Sequence, residues 1–331
     1  MILLILSLLI LVTITQGIGL NYGLLGDNLP PPDQVVTLLK SKNIQKIRLF
    51  DPNPIVLNAL GNSGIETVVG VPNQDLPELA GDYNFATQWV ATNVIPYIPA
   101  VKFRYIAAGN EVIPGPLAQY VFDAMNHLDI ALKKENINIP VTIVIHTAVI
   151  GPSFPPSNGV FSEVALSAMR LIIPFLVTNQ YPLLYNPYPY FAYAGDPEHV
   201  PVSYALGNAT GSEVVHDGDL QYNSLFDAMI DTIYAAAEKV GGEALRIVVA
   251  ETGWPSARNG DKTTIPIAQA YVNNVIDRVN SQSGTPRKPG IPLEAYIYSI
   301  FNENQKPAGV EQNFGLFYPD MSPVYSVKLP V

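Results

Sequence analysis

Two apolar runs in this sequence end in a carboxylate. "LRIVVA", Leu245 to Ala250, leads straight into Glu251 and then "TGWPS"; "FRYIAAGN", Phe103 to Asn110, leads into Glu111 and then turns on Pro114, Gly115 and Pro116. A third run, "LEAYIYSIFNE", ends at Glu303. An unpaired carboxylate is too costly to bury inside a sheet, so acids at strand ends belong where they are wet or used. Paired carboxylates across a cleft suit cleavage of a glycosidic bond: one protonated group donates to the leaving oxygen, and one ionised group attacks or stabilises the anomeric carbon. The other strand ends fit a sugar. Tyr22, Phe50, Tyr188, Tyr190, Trp254 and Phe301 offer rings for apolar sugar faces, and Asn21, Asn110, Asn186 and Asn302 offer donors and acceptors for hydroxyls.

Other chemistries find little support. There is no GxSxG nucleophile elbow, and a chain without cysteine has no thiol nucleophile. The four histidines, His127, His146, His199 and His216, are scattered and lack HExxH spacing, so neither a metal nor another cofactor is expected. "GIGLNYG", Gly17 to Gly23, places its last glycine one position late for a dinucleotide fingerprint.

To bring Glu111, Glu251 and Glu303 to one rim, the chain needs a frame. β-rich runs begin at Ile18, Ile44, Ile65, Lys102, Val141, Tyr181, Leu245 and Leu293, and helical patterns lie between them, from Pro32, Ile55, Ala86, Pro116, Phe161, Asn223 and Ile267. Alternating strands and helices imply parallel pairing with right-handed crossovers, and this number of units closes a (β/α)8 barrel, whose active site sits at the C-terminal strand ends. Residues 192–221 form the longest interruption and are read as a small rim insertion after strand six.

The first residues, "MILLILSLLILVTITQG", are apolar for about a dozen positions, too short for a membrane span of ~20 residues, and are read as a signal peptide over residues 1–17. A single domain over 18–331 follows, long enough to bury about three quarters of its unfolded surface without a disulfide. The net charge of −10, with 18 basic residues spread thinly, disfavours a nucleic-acid partner. The expected protein is secreted, without a membrane anchor, and monomeric. "NAT" at Asn208 to Thr210 is an N-glycosylation sequon consistent with that route.

"IGLNYGLLGDNLPPP", "IRLFDPNP", "VGVPNQDL", "KFRYIAAGNEVIPG", "LLYNPYPYF", "VVAETGWPSA" and "FNENQKPAGVEQNFGLFYPDMSPVY" together resemble, in order and over nearly the whole length after the leader, the plant endo-β-1,3-glucanases of glycoside hydrolase family 17. The resemblance implies a (β/α)8 fold, retention of anomeric configuration, Glu111 as acid/base and Glu251 as nucleophile. It implies Glu303 and Lys306 of "FNENQK" as a supporting pair beside the nucleophile, and Asn110 as a contact to the substrate hydroxyl next to the scissile bond. Tyr22, Asn186, Tyr188, Trp254 and Phe301 complete the expected substrate site. Many members carry a cysteine where this chain has Asn21, and "SESGWPS" is "AETGWPS" here; neither departure removes a catalytic group. The same motifs serve glucanases acting on mixed β-1,3-1,4 linkages, and a weakly catalytic glucan-binding defence protein is the alternative of another class. The expected location is the cell wall or the vacuole, and the expected substrate is plant callose or fungal wall β-glucan.

Overall fold

The computed structural model describes residues 17–329. All but the last residue of the expected signal peptide lie outside them. Eight parallel strands close into a barrel. In chain order the elements are β1 (Ile18–Tyr22), α1 (Pro32–Ser41), β2 (Lys46–Leu49), α2 (Pro54–Leu60), β3 (Glu66–Val71), α3 (Leu76–Gly81), α4 (Tyr83–Asn93), β4 (Lys102–Asn110), α5 (Ala118–Lys134), β5 (Val141–His146), α6 (Glu163–Asn179) and β6 (Leu183–Asn186). The insertion follows with α7 (Pro189–Gly195), α8 (Val202–Leu206), β7 (Val215–Asp217) and β8 (Leu220–Tyr222), and the chain returns to the barrel with α9 (Leu225–Glu238), β9 (Ile247–Thr252), α10 (Ile265–Asn280) and β10 (Ala295–Ile297). Around the barrel the order is β1-β10-β9-β6-β5-β4-β3-β2, closed by β1 on β2.

The strands are apolar on both faces because both are covered. Alternate residues pack outward against the helices: Ile47 and Leu49, for example, share one core with Val35 and Leu39 of α1. The other set, including Val68, Tyr105, Val144, Leu184, Val248 and Tyr296, forms a separate cluster inside the barrel. Pro32 and Pro54 begin α1 and α2, where a missing N–H leaves no bond unmade, and Asn53 caps α2 by accepting from the amides of Ile55 and Val56.

The runs expected as strands all contribute one, and most strands are shorter than their patterns, two of them markedly so. Of "YPLLYNPYPYF" only Leu183–Asn186 pairs, because Pro189 starts α7; of "LEAYIYSIFNE" only Ala295–Ile297 pairs. Glu303 therefore lies in the segment after β10, not at a strand end. The rim insertion is confirmed as a subdomain of two short helices and an antiparallel hairpin, whose two-residue Gly218-Asp219 turn has Gly218 at φ 60°.

Candidate active site

Glu111 follows β4 immediately, and its backbone is specialised. The β4–β5 register shifts between Ala107 and Asn110, a bulge that re-aims the strand end. Gly109 has φ 95° and Glu111 has φ 57°, so two left-handed residues flank Asn110. Only glycine takes the first readily, whereas a glutamate at φ 57° is held there by its surroundings. Asn73, in the segment after β3, supplies part of the hold. Its side chain accepts from the Asn110 amide (2.8 Å) and donates to the Asn110 carbonyl (3.0 Å), and the Glu111 amide donates to the Val144 carbonyl (2.9 Å).

Glu251 stands within β9, is 7 % exposed, and is paired with a cation where it enters the cleft. Its Oε1 accepts from the Arg48 guanidinium and its Oε2 accepts from the Tyr188 hydroxyl at 2.8 Å. Arg48, on β2, is itself buried at 1 %, and its second Nη donates to Asn110 Oδ1 (2.8 Å). Asn186 at the end of β6 donates to Glu111 Oε1 (2.7 Å). One chain of polar contacts thus runs Glu251–Arg48–Asn110, with Asn186 holding Glu111 alongside.

Around these groups is a cleft of about 600 Å³, lined by Asn110, Glu111, His146, Asn186, Tyr188 and Glu251 together with the rings of Phe50, Phe191, Tyr298 and Phe314. Glu111 opens to the cleft, yet protein crowds its carboxyl. Burial first, and the negative charge of Glu251 second, raise its pKa above the ordinary carboxylate value; the Asn186 hydrogen bond, His146 and Arg48 oppose them without reversing the sign. Two carboxyls in one cleft therefore have unlike surroundings: one is neutralised by a guanidinium, the other is pushed to keep its proton. Among the described residues no group of three or more metal-ligating side chains is arranged to hold an ion.

Several expected residues stand elsewhere. Trp254 is fully buried, donates Nε1–H to the Lys262 carbonyl (2.8 Å) and packs on Tyr190, Tyr193 and Tyr271 at 5.3–5.7 Å, so it supports the β9 loop and offers no face to a substrate. Tyr22 and Phe301 are each 2 % exposed and also belong to the core, as does Tyr190. Tyr22 points outward from β1 like Ile18 and Leu20, whereas Tyr190, Trp254 and Phe301 lie in the segments after β6, β9 and β10 and pack into the same core. Asn21 is buried too, donating to the Ala250 carbonyl (3.0 Å) and accepting from Arg48 (3.3 Å).

The Glu303–Lys306 pair does not form. Glu303, 2 % exposed, accepts from the Leu25 amide (2.7 Å) and the Tyr298 hydroxyl (3.3 Å), which occupy its oxygens. A Cβ on Gly23 would fall 2.3 Å from Glu303 Oε2, so the approach of this acid to the end of β1 requires glycine there. Lys306 lines the cleft with its Nζ 5.2 Å from the centre of the Tyr298 ring and makes no ion pair among the described residues. The cation beside Glu251 is instead Arg48. Its signal in the sequence was a lone charge inside the short apolar run "IRLF".

The barrel and its mouth of paired carboxylates define a (β/α)8 enzyme with a site for a polar, ring-shaped substrate. The chain belongs to the glycosyl hydrolases family 17, which matches residues 18–329, and it is a glycosidase. A glucan endo-1,3-β-glucosidase of Vitis vinifera is 45 % identical over 98 % of this chain and 96 % of its own. The solved structure of a β-1,3-glucanase and pollen allergen of Cryptomeria japonica superposes with a TM-score of 0.91 at 44 % identity, covering 95 % of this chain and 99 % of that one. A structure from a study of two plant β-glucan endohydrolases with distinct substrate specificities superposes at 0.89 with 42 % identity, covering 93 % and 99 %.

Proposed function

We propose that the protein hydrolyses internal β-1,3-glucosidic bonds of β-glucans by double displacement, with Glu251 as nucleophile and Glu111 as acid/base. The observation that carries the reading is the asymmetry of the two carboxyls. Glu251, ion-paired with Arg48, attacks the anomeric carbon as the C–O bond breaks, and Glu111 passes its proton to the departing oxygen. Forming the glycosyl ester removes the charge of Glu251. The repulsion by which that charge raised the Glu111 pKa vanishes with it, so Glu111 ionises more readily and takes a proton from the incoming water. Asn110, fixed by Asn73 and Arg48, is placed to contact the substrate hydroxyl beside the scissile bond, and Tyr188 keeps the nucleophile oriented. Glu303 is a positioning residue acting through Tyr298. The leader supports entry into the secretory route, and the enzyme acts as a monomer in the cell wall or vacuole.

The test is release of reducing ends from laminarin beside a mixed β-1,3-1,4-glucan, with preference for laminarin expected. Azide then separates the two roles. With an activated aryl glycoside, Glu251→Ala plus azide gives the α-glycosyl azide, while Glu111→Ala, still able to form the glycosyl-enzyme, gives the β-glycosyl azide. The same anomer from both variants overturns the assignment.

A further inference from the structure

A second cavity, of about 550 Å³, opens beside the cleft and shares Thr147, Ala192 and Met229 with it. One wall is the segment between β5 and α6; the other is the rim insertion. The two walls are fastened together. Asp217 of the hairpin accepts from both the amide (2.7 Å) and the hydroxyl (2.6 Å) of Ser157, and Lys239 of the segment after α9 donates to the carbonyls of Ser157 (3.2 Å) and Gly159 (2.7 Å). The cavity is thus built into the fold, at a size typical of small-ligand sites, ~300–1,000 Å³.

Its chemistry differs from that of the cleft. Ile150, Phe154, Val200, Val215 and Leu225 furnish much of its surface, with Phe154 72 % exposed at the lip. Polar groups of the floor are already satisfied within the protein: the Tyr185 hydroxyl pairs with Thr147 Oγ1 (3.1 Å), and Thr232 Oγ1 donates to the Ala228 carbonyl (2.8 Å). His199, Ser212, Glu213 and His216 stand at its exposed rim. A sugar seated deep in this space would leave hydroxyls unpaired, whereas an apolar group would lose only water.

The position of the cavity says what would carry that group. Asn186 draws the Glu111 carboxyl toward β6, and the ends of β5 and β6 are the edge on which the cavity opens. Resting on Glu111 as the acid of the proposed reaction, we infer that this cavity is an accessory site for an aryl-sized apolar group attached to the leaving-group side of the substrate. The enzyme then recognises aryl-substituted β-glucosides through a surface separate from its sugar contacts.

Titration calorimetry on the Glu251→Gln protein, which binds without turnover, tests this with 2-phenylethyl β-laminaribioside and methyl β-laminaribioside. The aryl compound is expected to bind about tenfold tighter. Val215→Asp and Phe154→Asp, on opposite walls, each abolish that preference while leaving methyl glycoside affinity and, in the otherwise wild-type chain, laminarin hydrolysis intact. Equal affinities in the parent, or a preference that survives both substitutions, overturns the inference. Failure of the wild-type enzyme on laminarin would overturn the proposed reaction instead, and that assay is independent of the binding comparison.

Discussion

Lys46 and Arg48 stand two residues apart on β2 and point into the same barrel, one toward each end. At the lower end Lys46 joins a cluster in which each carboxylate faces a cation: Arg104 pairs with both Glu66 and Glu294, Lys46 lies 4.0 Å from Glu294, and the Tyr296 hydroxyl donates to Glu294 at 3.0 Å. Burial opposes ionisation of Glu294, but Arg104, Lys46 and Tyr296 outweigh it and hold its pKa below the ordinary value. At the mouth, Arg48 serves Glu251, and Glu111 has no ion-pair partner among the described residues. Its pKa moves the other way. The same barrel interior therefore makes a fastening at one end, where charges are matched, and a proton-holding acid at the other, where one carboxylate is left over.

The sharpest way to break this comparison is to remove each guanidinium in turn. Arg48→Met takes the cation from the nucleophile and the anchor from Asn110, so kcat/KM for laminarin is expected to fall by about 10²–10³-fold, with the basic limb of the pH profile, set by Glu111, moving to higher pH because Arg48 is one of the groups that lower the Glu111 pKa. A loss confined to KM would mean that Arg48 only binds substrate. Arg104→Met should do the reverse. It leaves Glu294 buried with Lys46 as its remaining cation, so chemical denaturation should show a loss of about 3 kcal/mol while kcat at low temperature is unchanged.

Glu111→Gln sharpens the comparison through pH. Because folding raises the Glu111 pKa, the folded state holds this proton more tightly than the unfolded chain does. The stability Glu111 contributes is complete below the ordinary carboxylate pKa and is lost as pH rises through the raised folded value. Glu111→Gln, inactive on laminarin, should therefore match the wild type in acid and exceed it at neutral pH, by less than about 1 kcal/mol since the group opens to solvent. A thermal-melt series from pH 4 to 8 reads this, and parallel curves would refute it. The smallest effect is expected of Lys306→Met. Losing a cation over the Tyr298 ring should reduce kcat/KM by about two- to fivefold, with no movement of either pH limb.

The order of strands, the barrel and the two facing glutamates were legible because they are written in local patterns: apolar runs, punctuation, and a charge where a run stops. What escaped was set by tertiary packing after the strand ends and by distant partners. Trp254 and Phe301 look like platforms in a linear reading, yet each turns away from the cleft into the core. Arg48 was visible as a misplaced charge, but its partners lie 62 and 203 positions away, at Asn110 and Glu251. The resemblance implied Glu303 and Lys306 as a pair beside the nucleophile, while the oxygens of Glu303 were filled by Leu25, 278 residues earlier, and by Tyr298. The hairpin of the insertion did carry a signal, the Gly218-Asp219 pair of its two-residue turn, flanked by strands too short to show alternation.

The pairing of β1 with β10 also sets a timetable for synthesis. β1 is translated first and its partner Ala295–Ile297 among the last elements, so at about 5–20 residues per second the first strand waits roughly 15 to 55 seconds with one edge unpaired. Glu251 and Glu303 are likewise late, and Glu303 reaches back to the Leu25 amide. The barrel can therefore close, and its mouth gain Glu303, only once β10 and the segment after it have been made.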